Sequence, residues 1–223
     1  MKRPWPQILH VLIVVALPLA MLATSLRITT GHWLVRWEYN KADFPPDPYG
    51  FTTEERIRLA EVCVDYLVTG ADINLLADLE TDGEPAFNER ELEHMVDVKR
   101  ALWGLLRAGA LAGLVVVGGT AVLGARPATR HRAAAALVGG SVFLLGLLVA
   151  VGGLMVFQWQ AFFTGFHELF FASGTWTFPY SDTLIRLFPI RFWMDVAAVI
   201  VGLLVAQAVV IGGGAFIWYR RVR

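Results

Sequence analysis

From Ala133 to Phe166 the chain carries no Asp, Glu, Lys or Arg. Three other stretches come close to the same condition. Arg3 and Arg27 bracket one, Ala101 to Ala125 is interrupted only by Arg107, and the last lies between Asp195 and Arg220. Each supplies the ~20 apolar residues needed to cross a bilayer core of about 30 Å. Backbone amides in hydrocarbon must find partners within their own segment, so these runs are expected to be helices. The reading is an all-α, polytopic membrane protein in one membrane domain, with spans at about 5–26, 101–125, 133–157 and 195–218. The first run is expected to be a retained span, since it is long for a cleaved leader and no clean small-x-small site follows it.

Composition narrows the function. Over 223 residues, 56% are hydrophobic and only 17% charged, against roughly 25% charged in an ordinary soluble domain. A disordered chain and a nucleic-acid binder are excluded, and a net charge of zero gives no global field to recruit a polyanion. One cysteine, Cys63, excludes a disulfide framework and a cysteine-only metal site.

Charge also orients the spans. Lys2 and Arg3, then Arg126, Arg130 and Arg132, then Arg220, Arg221 and Arg223 fall in three acid-free segments. By the positive-inside rule both termini and the 126–132 loop are cytoplasmic, and the loops at about 27–100 and 158–194 face outward. Trp33, Trp37, Trp103, Trp159, Trp176 and Trp193 fall near the outer boundaries, where indole rings favour the interface.

The longer outer loop reads as helical. After the rigid turn at Pro45, Pro46 and Pro48, Thr52 or Thr53 can cap a helix whose first turn holds Glu54 and Glu55. Ile57, Ala60, Val64, Leu67 and Val68 recur at helical spacing, and Gly70 is a suitable stop. The apolar face is expected to pack rather than lie on the membrane surface. Asn88 with Glu91 three residues on forms an Asn-led capping box, and no Pro or Gly follows until Gly104. This second helix should therefore run straight into the 101–125 span.

On that helix His94 and Asp97 share a face, with Arg90 one turn before His94. The other outer loop carries His167 among Phe162, Phe163, Phe166, Phe170 and Phe171. Helical rise puts both histidines at about headgroup depth. Ionisable groups near lipid tend to mark sites, and imidazole titrates in the range a general base needs. His10, His32 and His131 are assigned to structure.

Other chemistries are weaker. His167-Glu168 is not followed by a second histidine four residues on, so the zincin pattern fails. A mixed metal site of His94, Asp97, His167 and Glu168 has no short ligand motif behind it. No Gly-x-Ser-x-Gly elbow is present, and Cys63 is expected to be packed rather than reactive. No metal and no cofactor are expected.

The residues Phe87-x-Glu89-Arg90-Glu91-x-x-His94-x-x-Asp97-Val98-Lys99 and Phe166-His167-x-x-Phe170-Phe171, followed by Trp176, Pro179, Asp182, Pro189 and Phe192, form a pattern. It resembles the lipoprotein intramolecular transacylase family of bacterial membrane proteins, over nearly the whole chain. The resemblance implies an enzyme of the bacterial cytoplasmic membrane. It would move the sn-2 acyl chain of a diacylglyceryl-modified lipoprotein onto the α-amine of the same cysteine, giving the lyso-form. Its partners would be those lipoproteins and membrane lipid, and no covalent acyl-enzyme is expected. His94 and His167 would be the catalytic pair, one as base and the other as acid or oxyanion donor, in either order. Asp97 or Glu168 would orient an imidazole, Arg90 would hold another loop carboxylate or the substrate backbone, and Glu91 and Trp176 would be orienting or substrate-binding. The run from Phe162 to Phe171 would line an acyl-chain groove. The alternative from another class is a non-catalytic membrane protein whose outer loop docks a secreted partner.

Overall fold

A computed structural model describes residues 4–172 and 174–223. Lys2 and Arg3, which enter the charge argument, lie outside the described residues. The chain divides into two compact units. The first comprises Met1–Leu26, Leu105–Trp159 and Ile200–Arg223; the second comprises Arg27–Gly104 and Gln160–Val199.

Among the described residues, four helices are long and apolar enough to cross a membrane: α1 (Trp5–Thr29), α5 (Glu89–Gly124), α6 (Arg130–Phe157) and α9 (Ile190–Val222). Even α1, with 25 residues, reaches about 37 Å at 1.5 Å per residue. In the first unit they pack through small residues. A Cβ at Gly109 would overlap that of Ala23, and one at Gly140 would press on Leu17 and the Val14 carbonyl. Close backbone approach of this kind drives helix association where the surroundings are as apolar as the helix. Leu17, Met21, Leu144, Leu204 and Ala208 form one core cluster, and Ile13, Leu123, Ala133 and Ala136 another. Gln207 clamps α9 to α1, its amide donating to Ser25 Oγ at 2.8 Å. Leu114, Val117, Val149, Val156 and Val210 remain exposed, as the lipid-facing side of a bundle requires.

The second unit holds every one of the nineteen acids, and the first none. Its elements are α2 (His32–Tyr39), α3 (Thr53–Val68), α4 (Asn74–Ala77), β1 (Glu80–Thr81), β2 (Glu84–Pro85), α7 (Trp159–Phe170), α8 (Thr183–Leu187) and the first turns of α5 and α9. Thr52 caps α3 through a complete box with Glu55. The α3 face packs: Leu59, Ala60, Cys63, Val64 and Tyr66 are buried, whereas the expected Ile57, Leu67 and Val68 are only partly so. Cys63 is inert by burial, which pushes its thiol pKa up. Arg56 is also inside, and its guanidinium donates to the Arg186 carbonyl at 2.7 Å and to that of Pro45 at 2.8 Å. A buried cation is tolerated because these acceptors replace its water.

Three details depart from the expectation. A two-residue antiparallel pair, β1 with β2, interrupts the otherwise helical chain. Asp82 and Gly83 both have positive φ, 55° and 80°, which is the backbone a tight hairpin turn demands. The helix carrying His167 is not a continuation of α6, because the chain leaves helical geometry at Gln158, at φ −143° and ψ 52°, and restarts as α7. Finally, α9 starts at Ile190, five residues before the expected span boundary, because Pro189 sets its beginning.

Candidate active site

Four segments of the second unit converge on two imidazoles. The first turns of α5 are fixed by the capping box the sequence announces. Asn88 N–H donates to Glu91 Oε2 at 2.9 Å, and Glu91 N–H donates to Asn88 Oδ1 at 3.1 Å. The Glu91 carboxylate does more than cap: its Oε1 accepts from the Leu184 N–H at 2.7 Å, pinning the start of α8. Thr183 Oγ donates to the Ala86 carbonyl beside it at 2.5 Å. Glu91 is 1% exposed, and desolvation raises its pKa against these backbone donors. It is therefore a scaffold residue, holding the loop that carries Trp176 and Phe178 against α5.

His94 lies one turn further along α5. The charged residues Glu89 to Arg100 place this part of the helix ahead of the apolar run that begins at Ala101. Its ring meets the edges of Phe171 at 5.1 Å and Phe178 at 5.4 Å, and faces His167 at 6.5 Å with 20° between planes. His94 Nδ1 is buried without a hydrogen-bond partner. Burial first, and His167 second, push its pKa down to about 4.

His167 is on the inner stripe of α7. Phe163 stands one turn before it with ring centroids 4.1 Å apart, Trp176 lies at 4.8 Å and Phe171 at 5.6 Å. Its Nδ1 is 2.7 Å from the Phe163 carbonyl oxygen. A carbonyl can only accept, so Nδ1 bears the proton and Nε2 keeps its lone pair. Burial lowers the His167 pKa, and the bond to Phe163 opposes that shift. Both rings are thus held neutral at pH 7. The Trp176 Nε1 donor is buried with no acceptor, a second unsatisfied group in the same aromatic box.

The other expected site residues divide: Arg90 holds a loop carboxylate as expected, and the two acids pair elsewhere or stay exposed. Asp97 pairs with Arg100 at 2.7 Å and makes no hydrogen bond to His94. Glu168 is exposed on the outer side of α7 and makes no hydrogen bond or ion pair among the described residues. Neither acid hydrogen-bonds an imidazole among the described residues, although the Asp97 charge acts on His94; the acceptor that His167 meets is the Phe163 carbonyl. Arg90 lies 3.4 Å from Asp182 and 5.6 Å from the Phe178 ring, so it holds a loop carboxylate. Phe163, Phe166 and Phe171 bring their rings to 4.1, 5.4 and 5.6 Å from His167, while Phe166, Leu169 and Phe170 remain 45%, 76% and 47% exposed. The mixed metal set does not assemble, and no group of three or more His, Cys, Asp or Glu side chains converges among the described residues.

Phe178 and the Phe163 carbonyl were not singled out by sequence. Trp176 and Phe178 stand two residues apart in the connection between α7 and α8. A backbone acceptor leaves no sequence signal at all.

Comparison with known proteins agrees with this architecture. The profile of the lipoprotein intramolecular transacylase family matches residues 11–193. An uncharacterized protein of Aquifex aeolicus is 31% identical over 191 residues, covering 85% of this chain and 84% of that protein. The solved membrane integral lipoprotein intramolecular transacylase of Bacillus cereus superposes with a TM-score of 0.79, covering 98% of this chain and 95% of that one, at 19% identity. A variant of that protein with one histidine replaced by alanine superposes with a TM-score of 0.73 at 18% identity, covering 98% of this chain and 93% of that one.

Proposed function

The chain belongs to the lipoprotein intramolecular transacylase family, and from that premise we propose that His94 and His167 together move an acyl chain within one lipoprotein molecule. The acyl group leaves the sn-2 oxygen of the diacylglyceryl moiety and joins the α-amine of the same N-terminal cysteine. The reaction takes place at the outer leaflet, with both termini of the enzyme cytoplasmic. The observation that carries this reading is the pair of facing imidazoles, 6.5 Å apart, neutral and enclosed by aromatic rings.

Nucleophile and ester belong to one substrate, so the enzyme need only fold it. Holding the two ends in attack geometry lowers the barrier by roughly 7–11 kcal/mol in the best intramolecular cases. The neutral amine attacks the ester carbonyl and becomes cationic. His167 Nε2, whose lone pair is left free by the bond from Nδ1 to Phe163, takes that proton. The tetrahedral intermediate then collapses, the C–O bond to glycerol breaks, and His167 returns the proton to the departing oxygen. Nothing is left on the enzyme, and the proton count closes. His94 is the poorer base, having its pKa pushed down to about 4, and suits the other task, donating an N–H to the oxyanion. Trp176, with its unsatisfied indole N–H, binds substrate in the same enclosure.

The test is the N-terminal cysteine of a model lipoprotein, made in a bacterium whose lipoproteins are diacylated with a free amine. Transfer leaves the intact mass unchanged, so the readout is amine reactivity with fragmentation. A blocked amine bearing an N-acyl group beside a monoacyl glyceryl thioether supports the reading. A free amine with the enzyme folded and inserted contradicts it.

A further inference from the structure

Of the seven described basic residues in the acid-free first unit, all but Arg107 lie where α5 gives way to α6 or at the end of α9. At that end of the unit a cleft of about 450 Å³ is lined by Gln7, His10, His131, Arg132 and Tyr219. These side chains come from α1, α6 and α9. His10 Nδ1 is 3.1 Å from the Arg132 carbonyl oxygen, so that bond ties α1 to α6 and leaves Nε2 for another partner. The guanidinium of Arg132, the His131 ring, the Gln7 amide and the Tyr219 hydroxyl make no side-chain hydrogen bond among the described residues. The cleft therefore gathers hydrogen-bond donors, one of them a fixed cation, with no Asp or Glu side chain in the unit to neutralise them.

Its borders are those of an interface. Arg126 sits 4.8 Å over the Trp5 ring, and Trp218 packs where Gly124 leaves room, so aromatic side chains ring this end. Val11 and Ala135 supply the apolar part of the lining, and Val11 is 57% exposed on the outer flank of α1. A donor-rich, acid-free cleft that opens onto an apolar helix flank matches a group that is anionic at one end and hydrocarbon at the other. Basic pockets between spans at the positive end of a bundle are suited to such headgroups. A soluble anion would use the donors and leave the flank without a purpose.

We propose that this cleft binds the phosphate of an anionic phospholipid, with the acyl chains lying along the apolar flank of α1. Arg132 and His131 contact the phosphate oxygens, while Gln7 and Tyr219 hold the headgroup's polar substituents. The site is independent of the reaction assigned to the histidines of the second unit.

The test uses the purified full chain in detergent, stripped of lipid. Phosphatidylglycerol, phosphatidylcholine with the same acyl chains, and inorganic phosphate are added separately, with retention read by native mass spectrometry and Tm by thermal unfolding. Phosphatidylglycerol should be retained and raise Tm, while the other two should do neither. The double substitution Arg132→Gln with His131→Gln should weaken retention about tenfold or more, since charge-assisted bonds to phosphate are the strong ones. Arg221→Gln, which removes a charge from the exposed tail at the same end, should leave retention unchanged. Equal response to the two lipids, or full retention in the double variant, overturns the proposal. A Tm rise with inorganic phosphate alone makes the site one for a free anion and overturns the lipid assignment.

Discussion

The two units solve opposite problems with opposite residues. The first has no acid and a surface of exposed valines and leucines, and it is held by close helix approach at Gly109 and Gly140 with one interhelical amide at Gln207. The second carries every acid and buries several charged groups, each with a named partner: Arg56 on two carbonyls, Glu91 on two backbone N–H groups, Asp47 on Arg186 at 2.8 Å. In a bundle whose surroundings are apolar, fit decides; where water is available outside and excluded inside, satisfaction of polar groups decides. The His94–His167 pair lies in the second unit, where the polar scaffold fixes the elements that carry it and aromatic rings enclose it.

If fit governs the bundle, enlarging a crossing glycine should have the largest effect on stability. Gly109→Val drives two methyl groups into Ala23 and should destabilise by about 1–3 kcal/mol or more, with loss of folded protein in detergent melts. A neutral result would show that α1 and α5 do not meet there. In the second unit Glu91→Ala should cost about 1–3 kcal/mol, because buried backbone donors at Asn88 and Leu184 lose their acceptor. Activity should fall along with stability, since the loop bearing Phe178 and Trp176 loosens. Glu91→Gln, which keeps one acceptor oxygen, should lie between.

Acid separates the units further. The His94 pKa is held down to about 4 from an ordinary 6.5, and that of His167 is lowered as well. The unfolded chain therefore takes up these protons first as pH falls. Stability present above about pH 6.5 drains away toward pH 4. His94→Gln should flatten that slope in melts run across the window, and an unchanged slope would mean the ring is not buried as described. The smallest effect belongs to the two acids that sequence placed beside the histidines. Asp97→Asn and Glu168→Gln should change turnover less than about threefold, because neither hydrogen-bonds an imidazole and both are open to solvent screening.

How far the chain could be read from its sequence follows the same division. The spans were legible because lipid permits one backbone solution and hydropathy reports it. The Asn88–Glu91 box and the Thr52 cap were legible because capping chemistry is local. The break at Gln158 was not, since neither Gly nor Pro marks it. The orienting group of His167 was not either, because any residue at position 163 brings a carbonyl. Spacing made His94 with Asp97 a natural pair, yet Asp97 turns instead to Arg100, three residues on along the same helix. Arg90 reached its carboxylate across a long stretch of chain, at Asp182, a contact that no local pattern announces.

The assignment of unequal roles to two facing histidines is tested most directly by replacing each with glutamine, which keeps an N–H donor but cannot accept a proton in the relevant range. The rate of N-acylation of a purified model lipoprotein is then measured for both variants beside the parent. His167→Gln should lose a factor of about 10²–10⁴, the usual worth of a general base, while His94→Gln retains a measurable fraction of the parent rate. Full activity in both variants, or the reverse order of loss, would contradict the account.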